Sequence, residues 1–189
     1  VVWLPLGPDI VGYLVGAAFI VLFGIADDRS DLNYRVKLGA QIAGAVLFVS
    51  LSGVHLTRAP FFYGAILPDW VGLPLTVLVL VAITNAVNLS DGMDGLAGGT
   101  SLVAAVVFGY LAYLGGDDLV AVFALCLIGA IFGFLRYNTF PARVFMGDAG
   151  SQFLGFSVAV LGLLVVERSN TVISPLVPLL VLGLPILDT

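Results

Sequence analysis

Three short segments carry most of the residues whose types could do chemistry. The first is GIADDRSD, residues 24–31, where Asp27 and Asp28 are adjacent and Asp31 follows Asp27 by one helical turn. Carboxylates this close repel unless a cation holds them. Mg2+ suits them, because it takes oxygen ligands while keeping waters and phosphate oxygens. The plainer alternative is a polar stop after an apolar helix, with the acids paired to Arg29 and Arg35. The second segment, NAVNLSDGMDGLA, puts Asn85, Asn88 and Asp91 at every third position, hence along one side of a helix end. Asp91-Gly92 and Asp94-Gly95 add two carboxylates on permissive backbone. Two amides and two acids at the lip of an apolar run are costly to bury unless a ligand or metal satisfies them. A pair of Asx turns between helices is the structural alternative. The third segment runs from Arg136 to Ser151 and contains Asn138, Phe145 and Asp148. Gly147 and Gly150 let backbone approach a ligand, and Ser151 is a candidate N-cap for a following helix. That helix N-terminus would offer free N–H groups to a phosphate, with Asp148 holding the neutralising metal. Asp148 and Ser151 acting only as caps is the bland alternative.

Taken together, the three segments describe carboxylates for a metal, amides and basic groups for phosphates, and apolar walls. This is the equipment of phosphoryl transfer, where catalysis is mainly positioning plus charge neutralisation by Mg2+.

The elements that must position these residues are membrane helices. Of the 189 residues, 60% are hydrophobic and 10% charged, with a mean hydropathy of +1.15; a soluble domain carries roughly 25% charged residues. Seven runs are long and apolar enough to be candidate spans: Ile10–Ala26, Val36–Leu56, Val71–Leu89, Leu96–Leu114, Leu119–Tyr137, Ser151–Val166 and Ile173–Leu187. Their length and lack of period-2 alternation favour an all-α polytopic bundle of about seven transmembrane helices over a β-barrel. Small-residue stripes, such as Gly39-Ala40 with Ala43-Gly44, predict close helix packing.

Strict alternation of the spans puts Arg29, Arg35, Lys37, Arg136 and Arg143 on one side, and Arg58 and Arg168 on the other. Five against two predicts that the first side is cytoplasmic. That side also receives Asp27, Asp28, Asp31, Asp91, Asp94, Asp148 and Asp188. Asp9, Asp69, Asp117, Asp118 and Glu167 fall on the outer side and are expected to be solvated turn residues, as is His55.

The acidic balance gives no basic footprint for nucleic acid. Cys126, the single cysteine, excludes an internal disulfide and is expected to be a small buried hydrophobe. The chain starts without Met and stops in the apolar PILDT. It is therefore expected to be one transmembrane domain, residues 1–189, of a longer protein with further segments at one or both ends.

DDRSDLNYRVKLGAQ, TNAVNLSDGMDGLAGG, LRYNTFPARVFMGDAGSQFLGF and PILDT, in this order and spacing, resemble the polyprenyl-phosphate N-acetylhexosamine-1-phosphate transferases of glycosyltransferase family 4. The sequence is most similar to the bacterial enzymes that initiate teichoic acid, O-antigen or common antigen synthesis. It looks less like the phospho-MurNAc-pentapeptide transferases. The resemblance implies transfer of a sugar 1-phosphate from a UDP-N-acetylhexosamine, UDP-GlcNAc being the expected donor, to undecaprenyl phosphate with release of UMP. It implies a multi-pass plasma-membrane enzyme with a cytoplasmic site, a bilayer as partner, no nucleic acid, and room for a homodimer. Mg2+ is the implied cofactor, with Mn2+ as an alternative ion. Carried onto matching positions, Asp148 is the principal metal ligand, and Asp27 and Asp28 lie on the metal and lipid-phosphate side. Asp28 is a second expected ligand, and one of the pair is a candidate base. Asp91 and Asp94 serve the nucleotide, Phe145 stacks on uracil, Asn138 faces the ribose-phosphate region, and Asn85 and Asn88 support the pocket. Ser151 completes the expected substrate contacts. Direct attack by the lipid phosphate is favoured over a covalent intermediate, because that phosphate is already largely ionised. The resemblance also implies a His-containing loop after PILDT and a basic loop before Ile10, both expected outside these residues.

Two rival classes share some features. An ion-coupled transporter would put acids near the midplane on broken helices, and an intramembrane aspartyl protease would use a Gly-Asp motif with a second Asp. The first does not suit acids at helix ends. The second leaves the Asn-rich DGMDG loop without a role, and Phe145-Met146-Gly147-Asp148 lacks the glycine expected at its first position. A non-catalytic membrane scaffold would leave all three loops idle.

Overall fold

The computed structural model describes residues 7–59, 65–168, 174 and 176–183. These form α1 (Pro8–Ser30), α2 (Tyr34–Ser52), α3 (Asp69–Leu89), α4 (Leu96–Leu114), α5 (Asp118–Asn138), α6 (Gly147–Arg168) and a short α7 (Leu176–Val181). The first six are long and apolar enough to cross a membrane, so the all-α polytopic expectation holds. Among the described residues the only β pairing is an isolated bridge between Arg58 and Ile66.

Leu96–Leu114 matches its predicted span to the residue, and the other boundaries shift for local reasons. The first helix runs past Ala26 to Ser30, so Asp27 and Asp28 sit on helical backbone. It stops at Asp31, whose φ of 44° is left-handed and turns the chain. Asn33 then starts α2 by accepting a hydrogen bond from the Arg35 amide at 3.0 Å. That helix ends at Ser52 rather than Leu56, because Gly53 adopts φ +71° and closes it in the left-handed manner. The sixth helix begins at Gly147, four residues before the predicted start at Ser151. Of the seventh predicted span, only Leu176–Val181 is helical among the described residues, and PILDT, with Asp188, lies outside them.

The central element is α6. It is buried almost without a break from Ser151 to Val165, because its apolar residues surround the helix and leave no polar face to offer outward. Helices α1, α3 and α4 enclose it. Two of these contacts are backbone-close. A Cβ on Gly24 would come within 2.4 Å of Ala149 Cα, and one on Gly155 within 2.8 Å of Thr84 Cα. The small-residue stripe of α2 is half confirmed. Gly44 packs against Ile20 and Gly16 of α1, whereas Gly39 meets nothing. Cys126 departs from expectation, lying exposed on the outer surface of α5 with Leu125 and Phe132. That surface is apolar because in a membrane it faces lipid rather than water.

The up-and-down order collects the three motif segments at one end of the bundle. At the opposite end, the expectation that all the acids are solvated fails. Asp69 and Asp118 are exposed, but Asp9 is buried and Arg168 pairs with both Asp9 and Asp117, the latter at 2.8 Å. Asp117 also caps α5 by accepting from the Val120 amide at 3.0 Å. Glu167 accepts from the Thr57 amide and hydroxyl at 3.1 and 2.8 Å. His55 sits 3.3 Å from Asp69. These acids are spent on fastening helix ends, which sequence position alone did not reveal.

Candidate active site

Lys37, four residues into α2, is the cation around which the site is arranged. Its Nζ lies 2.8 Å from Asp27 Oδ2 and 3.1 Å from Asp148 Oδ2, joining α1, α2 and α6. The contact with Asp27 is a close ion pair without a well-directed hydrogen bond on that oxygen. Asp27 is 3% exposed, and its other oxygen accepts from the Leu32 amide at 2.8 Å. A carboxylate so buried requires such a partner. The second oxygen of Asp148 accepts from Asn88 Nδ2 at 3.0 Å, and the same Asn88 nitrogen lies 2.6 Å from Ser151 Oγ. Neither Arg29 nor Arg35 takes part in an ion pair among the described residues. Arg35 instead lies over the Tyr34 ring, 5.7 Å from its centroid.

Asp28 turns away from Lys37. Its Oδ1 accepts from the Asp148 amide at 2.7 Å and its Oδ2 from the Ala149 amide at 3.2 Å. It therefore caps α6 from a different helix, where free N–H groups and the helix dipole favour an anion. Gly147, at φ +65°, makes the approach: a Cβ there would sit 3.0–3.1 Å from both Asp28 carboxylate oxygens. The N-terminus of α6, read in the sequence as a berth for phosphate, is thus filled by the protein's own carboxylate. Ser151 is not the cap either. It lies inside the helix and donates to the Gly147 carbonyl at 2.9 Å. Asp31, expected to share a face with Asp27, ends the helix instead, its amide bonding the Asp27 carbonyl at 2.8 Å.

One turn deeper lies a second polar tier. Gln41 Nε2 donates to Asn85 Oδ1 and to Gln152 Oε1, both at 3.3 Å, and Asn85 Nδ2 donates back to Gln41 Oε1. Gln41 and Gln152 are 2% and 3% exposed.

The rim is built from two loops stitched together. Asn138, 3% exposed, accepts from the Gly95 amide at 3.1 Å and donates to the Val144 carbonyl at 2.9 Å. Asp94 accepts from the Ala142 amide at 3.0 Å. Both side chains therefore shape the rim first. Phe145 is 75% exposed there, with Met93 and Phe140 also outward, so its ring face is open for stacking. Asp91 lies in the turn after α3. Burial, then the charge of Asp148, pushes its carboxyl above the usual carboxylate range.

The structure thus brings Asp27, Asp28, Asn85, Asn88, Asp91, Asp148 and Ser151 into one region and places Asp94, Asn138 and Phe145 on its rim. Lys37, Gln41 and Gln152 were not singled out in the sequence. Gln152 had a signal in its place four residues after Asp148 on one helix, and Lys37 and Gln41 in their own four-residue spacing within DDRSDLNYRVKLGAQ.

The donor set fits a hard divalent cation. Asp27, Asp148 and Asp91 outnumber Lys37, and the Asn88 carbonyl oxygen has no partner among the described residues. No group of three His, Cys, Asp or Glu among the described residues could hold a metal alone. A cation here would need phosphate oxygens and waters to complete its shell, which is how Mg2+ is usually bound.

Residues 10–166 match the family model described as glycosyl transferase family 4. The chain is 42% identical, over 93% of its length and 49% of the relative's, to a Bacillus subtilis protein named probable undecaprenyl-phosphate N-acetylglucosaminyl 1-phosphate transferase. It is 37% identical to the phospho-N-acetylmuramoyl-pentapeptide-transferases of Desulfovibrio desulfuricans and Staphylococcus carnosus, over 82% of this chain in each case and 53% and 50% of theirs. The chain spans about half the length of the curated relatives it matches.

Proposed function

This chain belongs to glycosyl transferase family 4, and from that premise we propose that the whole protein transfers a sugar 1-phosphate, GlcNAc-1-phosphate first among the candidates, from a UDP-sugar to undecaprenyl phosphate. An oxygen of the lipid phosphate attacks the sugar-bearing phosphorus, the bond to UMP breaks, and UMP leaves with the electron pair. The product is a lipid diphosphate sugar, made in the first membrane step of cell-envelope polysaccharide synthesis. The protein works in the plasma membrane with this end of the bundle cytoplasmic, a reading supported by the five-to-two excess of basic residues there.

The observation that carries the proposal is Asp148. It is held by Lys37 and Asn88 at the start of a central helix, where water-borne and lipid-borne phosphates can meet. Bound at Asp148, Mg2+ would neutralise charge on the diphosphate and leaving phosphate. Lys37 supplies the fixed positive charge beside it, and Asp27 keeps that ammonium in place. Asp28 fixes the N-terminus of α6 and so positions Asp148, and its remaining lone pairs leave it available as a second ligand of the ion. Both Asp28 oxygens accept amide hydrogens, and direct attack by an already ionised phosphate asks no base of it. Phe145 offers a stacking face to uracil, with Asp94 and Asn138 shaping the rim on which it stands. A transporter is disfavoured because the acids lie at ends of unbroken helices rather than at midspan.

The test is UMP release from UDP-GlcNAc by the full-length protein, requiring both Mg2+ and undecaprenyl phosphate. Asp148→Asn is expected to lower turnover by about a hundredfold or more, the scale of losing a main transition-state charge partner. No release with any UDP-N-acetylhexosamine, together with an unaffected Asp148→Asn variant, would sink the reading.

A further inference from the structure

The amide tier beneath the charged residues has no place in the chemistry above. Its geometry repeats on three helices. Gln41 lies one turn below Lys37 on α2, Asn85 one turn below Asn88 on α3, and Gln152 one turn below Asp148 on α6. The three amides are joined through Gln41, which donates to both partners and accepts from Asn85. The three residues above them bond through Asp148 in the same way. Two three-residue clusters therefore stack, one charged at the membrane surface and one neutral and largely buried beneath it.

We infer that Gln41 is a positioning residue: by fixing the rotation and depth of α2, α3 and α6 against one another, it sets the distances among Lys37, Asn88 and Asp148. Amides suit this task. They are directional and uncharged, so they fix geometry without adding to the negative potential above them. Each is locked by a partner that would be left unsatisfied if any one rotated. Simple interhelical adhesion would not require the contact to sit beneath a site residue on all three helices. The inference rests on the proposed reaction, but its test need not.

The full-length protein is compared with Gln41→Leu, which keeps the bulk and removes the amide, and with Tyr13→Phe. The latter breaks the 2.9 Å Tyr13–Ser157 hydrogen bond between α1 and α6 away from the site. Two quantities are read: the rise in melting temperature produced by Mg2+ with UMP, and the Mg2+ concentration giving half-maximal UMP release. With Gln41→Leu the ligand-induced rise is expected to fall by at least half and the half-saturating Mg2+ to increase at least fivefold. Tyr13→Phe should leave both as in the wild type. If Gln41→Leu is not recovered folded, Gln41→Asn, which keeps the amide on a shorter arm, is read against the same thresholds. Unchanged Mg2+ dependence and ligand-induced stabilisation in a Gln41 variant overturn the positioning role, even if that variant melts earlier. A wild type that releases no UMP but is stabilised by Mg2+ with UMP, while Gln41→Leu is not, overturns the reaction and keeps the positioning role.

Discussion

Both ends of the bundle hold one cation between two carboxylates, yet they are built for different ends. At one, Arg168 spends its Nε and one terminal nitrogen on Asp117 and Asp9. Asp117 and Glu167 spend their remaining acceptors on backbone amides of nearby segments. At the other, Lys37 sits between Asp27 and Asp148, with Asp91 close enough for its charge to be felt. A guanidinium holds its partners in a fixed fork, whereas an ammonium is a point charge that can change partners without losing geometry. The first arrangement is closed, its acceptors taken up by Arg168, backbone amides and the Thr57 hydroxyl. The second carries surplus negative charge and an unused carbonyl oxygen, beneath a rim with an exposed aromatic ring. The lesson is that buried acids alone do not mark a site; acids beside an open ligand atom and an exposed ring do.

The sharpest way to break this comparison is to neutralise both cations. Arg168→Met should leave Asp9 buried and unpaired and cost on the order of 2–3 kcal/mol, below the fully buried case because Arg168 is partly exposed. The melting temperature would drop by roughly 5–10 °C, with little change in turnover by the folded protein. Lys37→Met should destabilise to a similar degree, because it leaves Asp27 buried and unpaired, and should in addition lower UMP release by the folded protein about a hundredfold. Equal effects of the two on both measurements would show that the ends do not differ in kind. A middle-sized effect concerns the cap. Asp28→Ala should lower the melting temperature by a few degrees, about 1 kcal/mol of capping, and Asp28→Asn, whose single carbonyl oxygen can accept from only one of the two α6 amides, should restore part of it. If Asn and Ala melt alike, the carboxylate is not acting as a cap.

The smallest effect is at Asp91. Its pKa is raised in the fold, so the ionised form is disfavoured there, and the stability present below the ordinary carboxylate range is lost as pH rises through the raised value. Asp91→Asn should therefore melt slightly higher than wild type at neutral pH without Mg2+, and the advantage should vanish in acid. A variant that melts lower at neutral pH would remove Asp91 from the surplus charge.

Much of this was legible in the sequence, and the parts that were not share a cause. Spans are set by runs of apolar residues, so Leu96–Leu114 could be read directly. The convergence of the three segments followed from counting alternations. Lys37 was read only as a topology marker, because a single lysine at the start of a span looks like any other. Gln41 and Gln152 were hidden because an isolated amide inside an apolar run has no local pattern. Both lie within the quoted motif strings, but only the packing of α2 against α3 and α6 shows that they meet. The fate of Asp28, Asp9 and Asp117 depends on which helix end lies opposite, a tertiary fact that no local spacing encodes. The same holds for Cys126, since a uniformly apolar helix does not show which of its faces meets lipid.

The enclosure of α6 by helices that precede it has a consequence for how the protein is made. Ribosomal synthesis delivers α1 to α5 before α6, so Lys37, Gln41, Asn85 and Asn88 would line a polar groove until the sixth span brings their partners. Such a groove is poorly matched to acyl chains, which gives the newborn bundle a thermodynamic pull on the next span to leave the translocon. Asp148 and Gln152 arrive on that span as its complement. The arrangement that sets up the reaction would then also act as the latch that completes membrane insertion.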